Sequence, residues 1–321
     1  MSVVGRFAPS PTGDLHLGSA LAALASWASV RSRGGRFIWR VEDIDGPRAV
    51  GGAAKRQIED ARWLGLDWDE GPDVGGPHGP YLQSRRGPVY DGALKRLAGA
   101  GHLFPCRLSR RDLREIASAP HGHGGLPPYP THLRPTDLEA GWLDGLEDEG
   151  AALRFVVRPG QVAFEDVVAG AVLEDVSETV GDFVLRRRDG VYGYQLAVVV
   201  DDLAMGVTEV VRGMDLLDST ARQILLIRAL GGNVPTYAHL PLLVEGDGRK
   251  LSKRHGAQTV REFRDAGVSA SALVGWLAGA LGLEDAPRTP AEAAASFRLG
   301  AVRPDPVTVP PGLDRILLDR S

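Results

Sequence analysis

An α/β fold built from parallel βαβ units is predicted by two features of the sequence. The amino-terminal third reads as strand, turn, helix, strand, and the same alternation resumes after about residue 180. The composition agrees: 43% hydrophobic and 24% charged residues over 321 positions lie in the ordinary globular range, which argues against disorder and fibrous repeats.

In chain order, a strand is predicted over 2–7, a Pro/Ser/Gly turn over 8–13 and an Ala-rich helix over 17–30. A second strand over 36–41 ends in the acidic cluster Glu42-Asp43-Ile44-Asp45. A helix over 49–64, a Gly/Pro-rich loop over 71–80 and a helix over 88–99 follow. The rhythm then breaks over 106–180, with a helix near 109–118, a Pro/Gly/His loop over 120–135 and strand-like pieces at 152–157 and 171–176, which reads as an insertion. Strands are expected over 182–186, 193–200 and 208–212, a helix over 219–230 and an apolar run over 240–244. The last 67 residues read as helices joined by Pro-rich turns. The expected division is therefore 1–105 and 181–255 as two halves of one core, 106–180 as the insertion and 256–321 as a short helical region.

The net charge of −4 neither suggests nor excludes a nucleic-acid partner, since a local basic patch is invisible to the sum. Cys106 is the only cysteine, which excludes an intramolecular disulfide and any zinc site needing two thiolates from one chain. The apolar runs at 19–30 and 271–283 fall short of the roughly 18 residues of a membrane span, and the amino terminus carries no export signal. A cytoplasmic protein without membrane contact is expected. Of the 37 Lys and Arg residues only four are Lys, at 55, 95, 250 and 253. Two of these share the segment Lys250-Leu251-Ser252-Lys253-Arg254, as if compact, mobile point charges were wanted there. Chance in an Arg-rich chain is the alternative.

The turn Pro9-Ser10-Pro11-Thr12-Gly13-Asp14-Leu15-His16-Leu17-Gly18-Ser19 joins the first strand to the first helix. A helix amino terminus presents unpaired N–H groups and the positive end of the helix dipole, which suits phosphate. Gly13 and Gly18 let a ligand approach the backbone, and His16 could donate a ring N–H to a phosphate oxygen. A plain turn with a helix-capping His satisfies the same residues.

His16-Leu17-Gly18-Ser19 resembles the His-Ile-Gly-His signature of the class I aminoacyl-tRNA synthetases, and Lys250 to Arg254 resembles their Lys-Met-Ser-Lys-Ser signature. The two occur in the right order, about 230 residues apart. Arg6-Phe7-Ala8-Pro9-Ser10-Pro11-Thr12-Gly13 and Arg40-Val41-Glu42-Asp43-Ile44-Asp45 resemble the glutamyl branch. The resemblance implies a Rossmann-type catalytic domain that consumes ATP, with Mg²⁺ as an ion held largely by the phosphates. His16 and Lys253 are the implied catalytic residues, and His16, Gly18, Ser19, Lys250, Ser252 and Lys253 the implied ATP site. For glutamate it implies Arg6, Phe7, Ala8, Pro9, Ser10, Glu42, Tyr194 and Arg212. Physical chemistry is consistent with a second carboxylate on the amino acid: Arg6 could pair with the side-chain carboxylate bidentately, and Glu42 is placed to hold the α-ammonium. Both fall beyond carboxyl ends of strands, where open α/β sheets bind ligands. As isolated residues they would equally fit a structural ion pair.

A full glutamyl-tRNA synthetase continues with an anticodon-binding region, whereas 67 residues follow Arg254 here. The chain thus resembles the glutamyl-Q tRNA(Asp) synthetases, truncated paralogues that activate glutamate without tRNA and attach it to queuosine in the anticodon of tRNA(Asp). L-glutamate, ATP and a queuosine-containing tRNA(Asp) are the implied partners, and a monomer is expected. Competing readings are a compact glutamyl-tRNA synthetase charging a tRNA 3′ end, an adenylate-forming ligase with a small-molecule acceptor, and an inactive paralogue used for binding. Many family members hold zinc in the insertion. Here Cys106 and Tyr129 match two of the four ligands while Leu108 and Leu133 stand at the others, with His121, His123 and His132 nearby. No metal site is expected.

Overall fold

The computed structural model describes residues 2–109, 112, 128–135, 150–249, 251, 258–285 and 287–319. Its main sheet contains β1 (Val4–Phe7), β2 (Arg36–Trp39), β5 (Val162–Asp166), β6 (Gly170–Glu174), β8 (Glu209–Gly213) and β9 (Thr236–Leu240), in the order β2-β1-β8-β9-β5-β6. All neighbours run parallel except the β5–β6 hairpin. From β1 the chain passes through α1 (Leu17–Arg31) to β2 on one side, and from β8 through a later helix to β9 on the other. The strand order therefore reverses between β1 and β8, and the carboxyl ends of these two strands open a crevice.

Helix α1 has no polar stripe because it has no solvent face to speak of. Leu17, Leu21 and Leu24 are at most 2% exposed, and its Ala-rich remainder is buried as well. One side lies on the sheet. Over the other pack α8 (Ala270–Ala280) and α9 (Pro290–Ser296), so the carboxyl-terminal helices complete the core that α1 begins. At roughly 1.5–3 kcal/mol for each fully buried leucine, this layer anchors the helix whose amino terminus faces the crevice. The opposite sheet face is covered by α3 (Gly87–Gly99), α5 (Tyr194–Ala204) and α6 (Thr220–Ala229).

Most elements lie where the sequence predicts them, with four departures. The strand expected over 193–200 is helix α5. Leu196 to Val200 are all buried, and a continuous apolar run does not tell a buried helix from a buried strand. Gly193 caps this helix with extended backbone, and a Cβ there would stand 2.7 Å from the Val184 carbonyl oxygen. The helix expected over 49–64 starts only at Ala53 (α2, Ala53–Trp63), after a short 3₁₀ turn at Gly46–Arg48. The run over 240–244 is divided between the end of β9 and β10 (Leu243–Val244) by Pro241, which has no N–H to offer a ladder.

The fourth departure concerns the expected insertion. β3 (Leu103–Cys106), β4 (Ala152–Phe155) and β7 (Phe183–Arg186) form a separate antiparallel sheet, but β5 and β6 join the main one. Strand β5, for which no expectation was drawn from the sequence, lies parallel to β9 and buries Val162 and Asp166. A single turn, α4 (Val176–Thr179), leads to β7, and α7 (Val260–Asp265) and α10 (Leu313–Leu318) belong with the carboxyl-terminal helices. β11 (Val307–Thr308) pairs with β10. The helix expected near 109–118 lies almost wholly outside the described residues. Among the described residues no helix is long and apolar enough to cross a membrane.

Candidate active site

A cavity of about 360 Å³ opens at the reversal point between β1 and β8. Arg6, Phe7, Ala8, Pro9 and Ser10 line it from the end of β1, Glu42 from beyond β2, Tyr194 from the start of α5 and Arg212 from the end of β8. His16, Gly18 and Ser19 line it from the start of α1. All the described residues expected at the site are thus in one cleft. Lys250, Ser252 and Lys253 lie outside the described residues; Leu251, between them, lines the cleft and donates its N–H to the Leu243 carbonyl at 3.0 Å.

The turn before α1 is held in shape by its neighbours. Gln57 on α2 donates its side-chain N–H to the carbonyls of Ser10 (3.2 Å) and Gly13 (2.7 Å), while the Glu42 N–H donates to Pro9 O and the Val50 N–H to Pro11 O. Gly13 sits at φ +148°, a conformation that L side chains rarely adopt. At the helix start the Leu17 N–H bonds to Gln258 O and the Ser19 N–H to Nδ1 of His16, the N-cap. The Gly18 N–H has no hydrogen-bond partner among the described residues, and Gly18 lines the cleft. Because Nδ1 of His16 accepts, the ring proton resides on Nε2, which lies 2.9 Å from Ser19 Oγ. A Cβ on residue 18 would come into contact with Cε1 and Nδ1 of the His16 ring, at 3.4 Å from each. This half of the cleft therefore offers a helix amino terminus, the type of site that suits an anion.

The other half is a buried charge network. Arg40, completely buried on the strand side, donates to Asp202 Oδ1 at 2.6 Å and to Glu42 Oε1 at 3.0 Å, and its Nε lies 3.8 Å from Asp201. Arg6 directs Nε at both oxygens of Asp202, at 3.3 and 3.4 Å. Burial pushes the Glu42 carboxyl above its ordinary value, with Arg40 opposing the shift. For Asp202 burial acts in the same upward sense, but Arg40 and Arg6 outweigh it and the carboxyl is held low. The Tyr194 phenol is pushed up by burial and by the nearby Glu42. Arg212 is 4% exposed and touches no carboxylate among the described residues. Buried cations require a counter-charge, so Arg212 facing the cleft favours an anionic ligand, while Glu42 on the other wall favours a cationic group.

Arg40 and Asp202, which hold Glu42 and Arg6 without lining the cavity, and Gln57, which lines it, carried no functional expectation. A charged residue inside an apolar strand, as in Phe37-Ile38-Trp39-Arg40-Val41, and an acid pair closing an apolar run, Asp201-Asp202, are the signals that could have found the first two.

The region around Cys106, where two of the four zinc-ligand positions of the resembled family are kept, is apolar. Cys106 and Tyr129 do meet, with Sγ 3.7 Å from the phenolic oxygen, but they lie in a small apolar cluster with Phe104 and Val156, against which Leu108 and Leu133 pack. The Arg154 guanidinium sits 4.5 Å over the Tyr129 ring. Two leucines and a neighbouring cation do not suit Zn²⁺. His132 is exposed, and His121 and His123 lie outside the described residues. Among the described residues no group of three or more His, Cys, Asp or Glu side chains could hold a metal ion; no chain residue is therefore assigned to Mg²⁺.

A parallel sheet that carries a helix amino terminus and buried charges at its strand-order reversal point has the ligand-binding architecture of the open α/β class. Residues 2–286 match the family described as tRNA synthetases class I (E and Q), catalytic domain, and the chain belongs to that family of ligases. It is 52% identical over 312 residues to a glutamyl-Q tRNA(Asp) synthetase of Symbiobacterium thermophilum, covering 95% of each chain. To the protein of the same name in Nitratidesulfovibrio vulgaris it is 44% identical over 315 residues, 97% of each. Among solved structures, a glutamate tRNA ligase from Elizabethkingia meningosepticum in complex with its amino acid superposes with a TM-score of 0.86 at 28% identity, over 100% of this chain and 69% of that one.

Proposed function

We propose that this protein activates L-glutamate with ATP, without tRNA, and transfers the glutamyl group to queuosine in the anticodon of tRNA(Asp). The observation that carries the first step is the division of one cleft into a phosphate-accepting helix start and a wall with Glu42 and Arg212 on it. In this reading Glu42 holds the α-ammonium, Arg6 and Arg212 read carboxylate charge, and Tyr194 and Ser10 bound the amino acid. An α-carboxylate oxygen attacks the α-phosphorus of ATP, the bond to the bridging oxygen breaks, and pyrophosphate leaves with growing negative charge. His16 supplies its Nε2 proton to a phosphate oxygen and the Gly18 N–H a second donor; the sequence assigns Lys253 to the β/γ-phosphates. Catalysis is then positioning and electrostatics rather than covalent chemistry by the protein. In the second step an acceptor hydroxyl attacks the activated carbonyl, the ester forms and AMP leaves. The names of the relatives support queuosine as acceptor.

Glutamate-dependent ATP–pyrophosphate exchange in the absence of tRNA tests the first step. For the second, labelled glutamate is offered to tRNA(Asp) with and without queuosine. Label on the queuosine-containing tRNA alone is expected. An ester at a tRNA 3′ end would instead establish the compact glutamyl-tRNA synthetase reading.

A further inference from the structure

Every nitrogen of the buried Arg212 guanidinium donates to a neutral acceptor. Nε donates to His239 Nε2 at 2.9 Å, Nη1 to Gln223 Oε1 at 2.8 Å and Nη2 to Thr220 Oγ1 at 2.8 Å. The first of these bonds requires a particular tautomer, because Nε2 of His239 can accept only when the ring proton is on Nδ1. Nδ1 lies 2.6 Å from Asp166 Oδ2. The other oxygen, Oδ1, accepts backbone N–H groups from His239 (3.1 Å), Val168 (3.0 Å) and Ala169 (2.8 Å). Asp166 and the His239 ring are both wholly enclosed, at 1% and 0% exposure.

We propose that Asp166 and His239 are positioning residues for Arg212: Asp166 fixes the His239 tautomer, and His239 fixes the plane and rotation of the guanidinium that reads the substrate carboxylate. Five N–H bonds leave Arg212 and three are engaged by these neutral acceptors, so one N–H on each terminal nitrogen remains for a ligand. Two donors in a fixed plane read a carboxylate bidentately; a guanidinium free to turn about its stem does not. Burial, acting against the Asp166 hydrogen bond, lowers the basicity of His239 and keeps the ring neutral, as the accepting role demands. The inference rests on the reading of the cleft as a glutamate site.

Asp166→Asn is the decisive variant. The three backbone N–H groups hold the amide oxygen at the Oδ1 position, so the amide NH₂ must face Nδ1. The ring proton is then driven to Nε2, where it opposes the Arg212 Nε–H. The same logic of an isosteric amide forcing the wrong tautomer applies to catalytic triads. In ATP–pyrophosphate exchange the glutamate KM is expected to rise about tenfold to hundredfold, the range for one lost hydrogen bond to a charged group, with kcat at saturation changed less than about threefold and the ATP KM unmoved. His239→Gln keeps an acceptor near the Nε2 position and is expected to retain most glutamate affinity. His239→Asn, whose amide reaches only the Nδ1 position, is expected to lose it. ¹⁵N spectroscopy of the ring reads the tautomer whether or not turnover occurs: Nδ1–H in the unaltered protein, Nε2–H in Asp166→Asn. A wild-type ring protonated at Nε2, or an Asp166→Asn protein with unchanged glutamate KM, overturns the proposal. Absence of glutamate-dependent exchange in the unaltered protein, with the tautomers as expected, overturns only the glutamate reading.

Discussion

Arg40→Met would expose how far the site depends on one buried cation. The guanidinium is 0% exposed and is shared between Asp202 at 2.6 Å and Glu42 at 3.0 Å, with Asp201 at 3.8 Å. Met fills much of the same volume, so the change deletes the charge while leaving little void. Removing one partner of a buried ion pair costs about 3–5 kcal/mol. Arg6 still reaches Asp202, and Arg86 still holds Asp201 at 2.5 Å, so the loss should fall at the low end, about 3 kcal/mol. Equilibrium unfolding in urea reads it as a lower midpoint at unchanged slope. Function should respond through Glu42. Burial already raises its carboxyl and Arg40 opposes that shift, so without Arg40 the group rises further and takes up a proton closer to neutral pH. A protonated Glu42 cannot pair with an ammonium, so glutamate affinity in the variant should be poor at low pH and recover as pH rises. Stability within about 1 kcal/mol of the unaltered protein, together with a pH-independent glutamate KM, would refute this account of the network.

Gly18→Ala should leave the melting temperature unchanged or slightly higher, since Ala is the better helix former by about 1 kcal/mol, yet lower exchange activity about tenfold by placing a methyl against the His16 ring; a variant as active as the parent would show that this contact does not matter. Lys253→Ala should depress the rate of adenylate formation far more than the glutamate KM, because its charge is needed mainly as pyrophosphate leaves; raised KM with turnover kept would contradict that role. Asp166 and Asp202 have folded-state values held below the unfolded one near 3.9. Their stabilisation is present above about pH 4 and lost as pH falls through the lowered values, so the urea midpoint should drop between pH 5 and pH 3; Glu42, shifted the other way, opposes this, and a midpoint that rises on acidification would show that its sign dominates. Metal analysis of protein purified without a histidine tag should find far less than one equivalent of zinc, and stoichiometric zinc would reverse the reading of the Cys106 region.

What could be read from the sequence followed the physics of each segment. The turn at Pro9 to Ser19 and the helix after it were legible because glycines, a capping His and a long apolar run all imply the same local geometry. The residues at the ends of β1 and β8 were expected at one site only through the family resemblance; the strand order that brings them to a shared crevice is set by long-range pairing that no local pattern shows. The apolar segment after Gly193 was not legible, because full burial erases the periodicity that separates helix from strand. Strand β5 was missed for a related reason: only Val162 and Asp166 turn fully inward, so five residues offer two core positions, one of them a carboxylate. Its partner, His239, lies 73 residues away along the chain, and no local pattern links them. The Lys250 to Arg254 motif was the reverse case, plain in sequence yet largely outside the described residues.

The neutral surroundings of Arg212 also bear on how the empty enzyme behaves. Its positive charge is held in place by His239, Gln223 and Thr220 but balanced by none of them. Its field reaches Asp202 and helps to hold that carboxyl low, but no carboxylate touches the guanidinium among the described residues, so a bound anion gains a direct partner there. Any ligand that binds the folded state alone is linked to its stability: at a hundredfold excess over its dissociation constant it adds about 2.7 kcal/mol to the folded state. In a cell short of substrate, this protein would lose resistance to unfolding along with its rate.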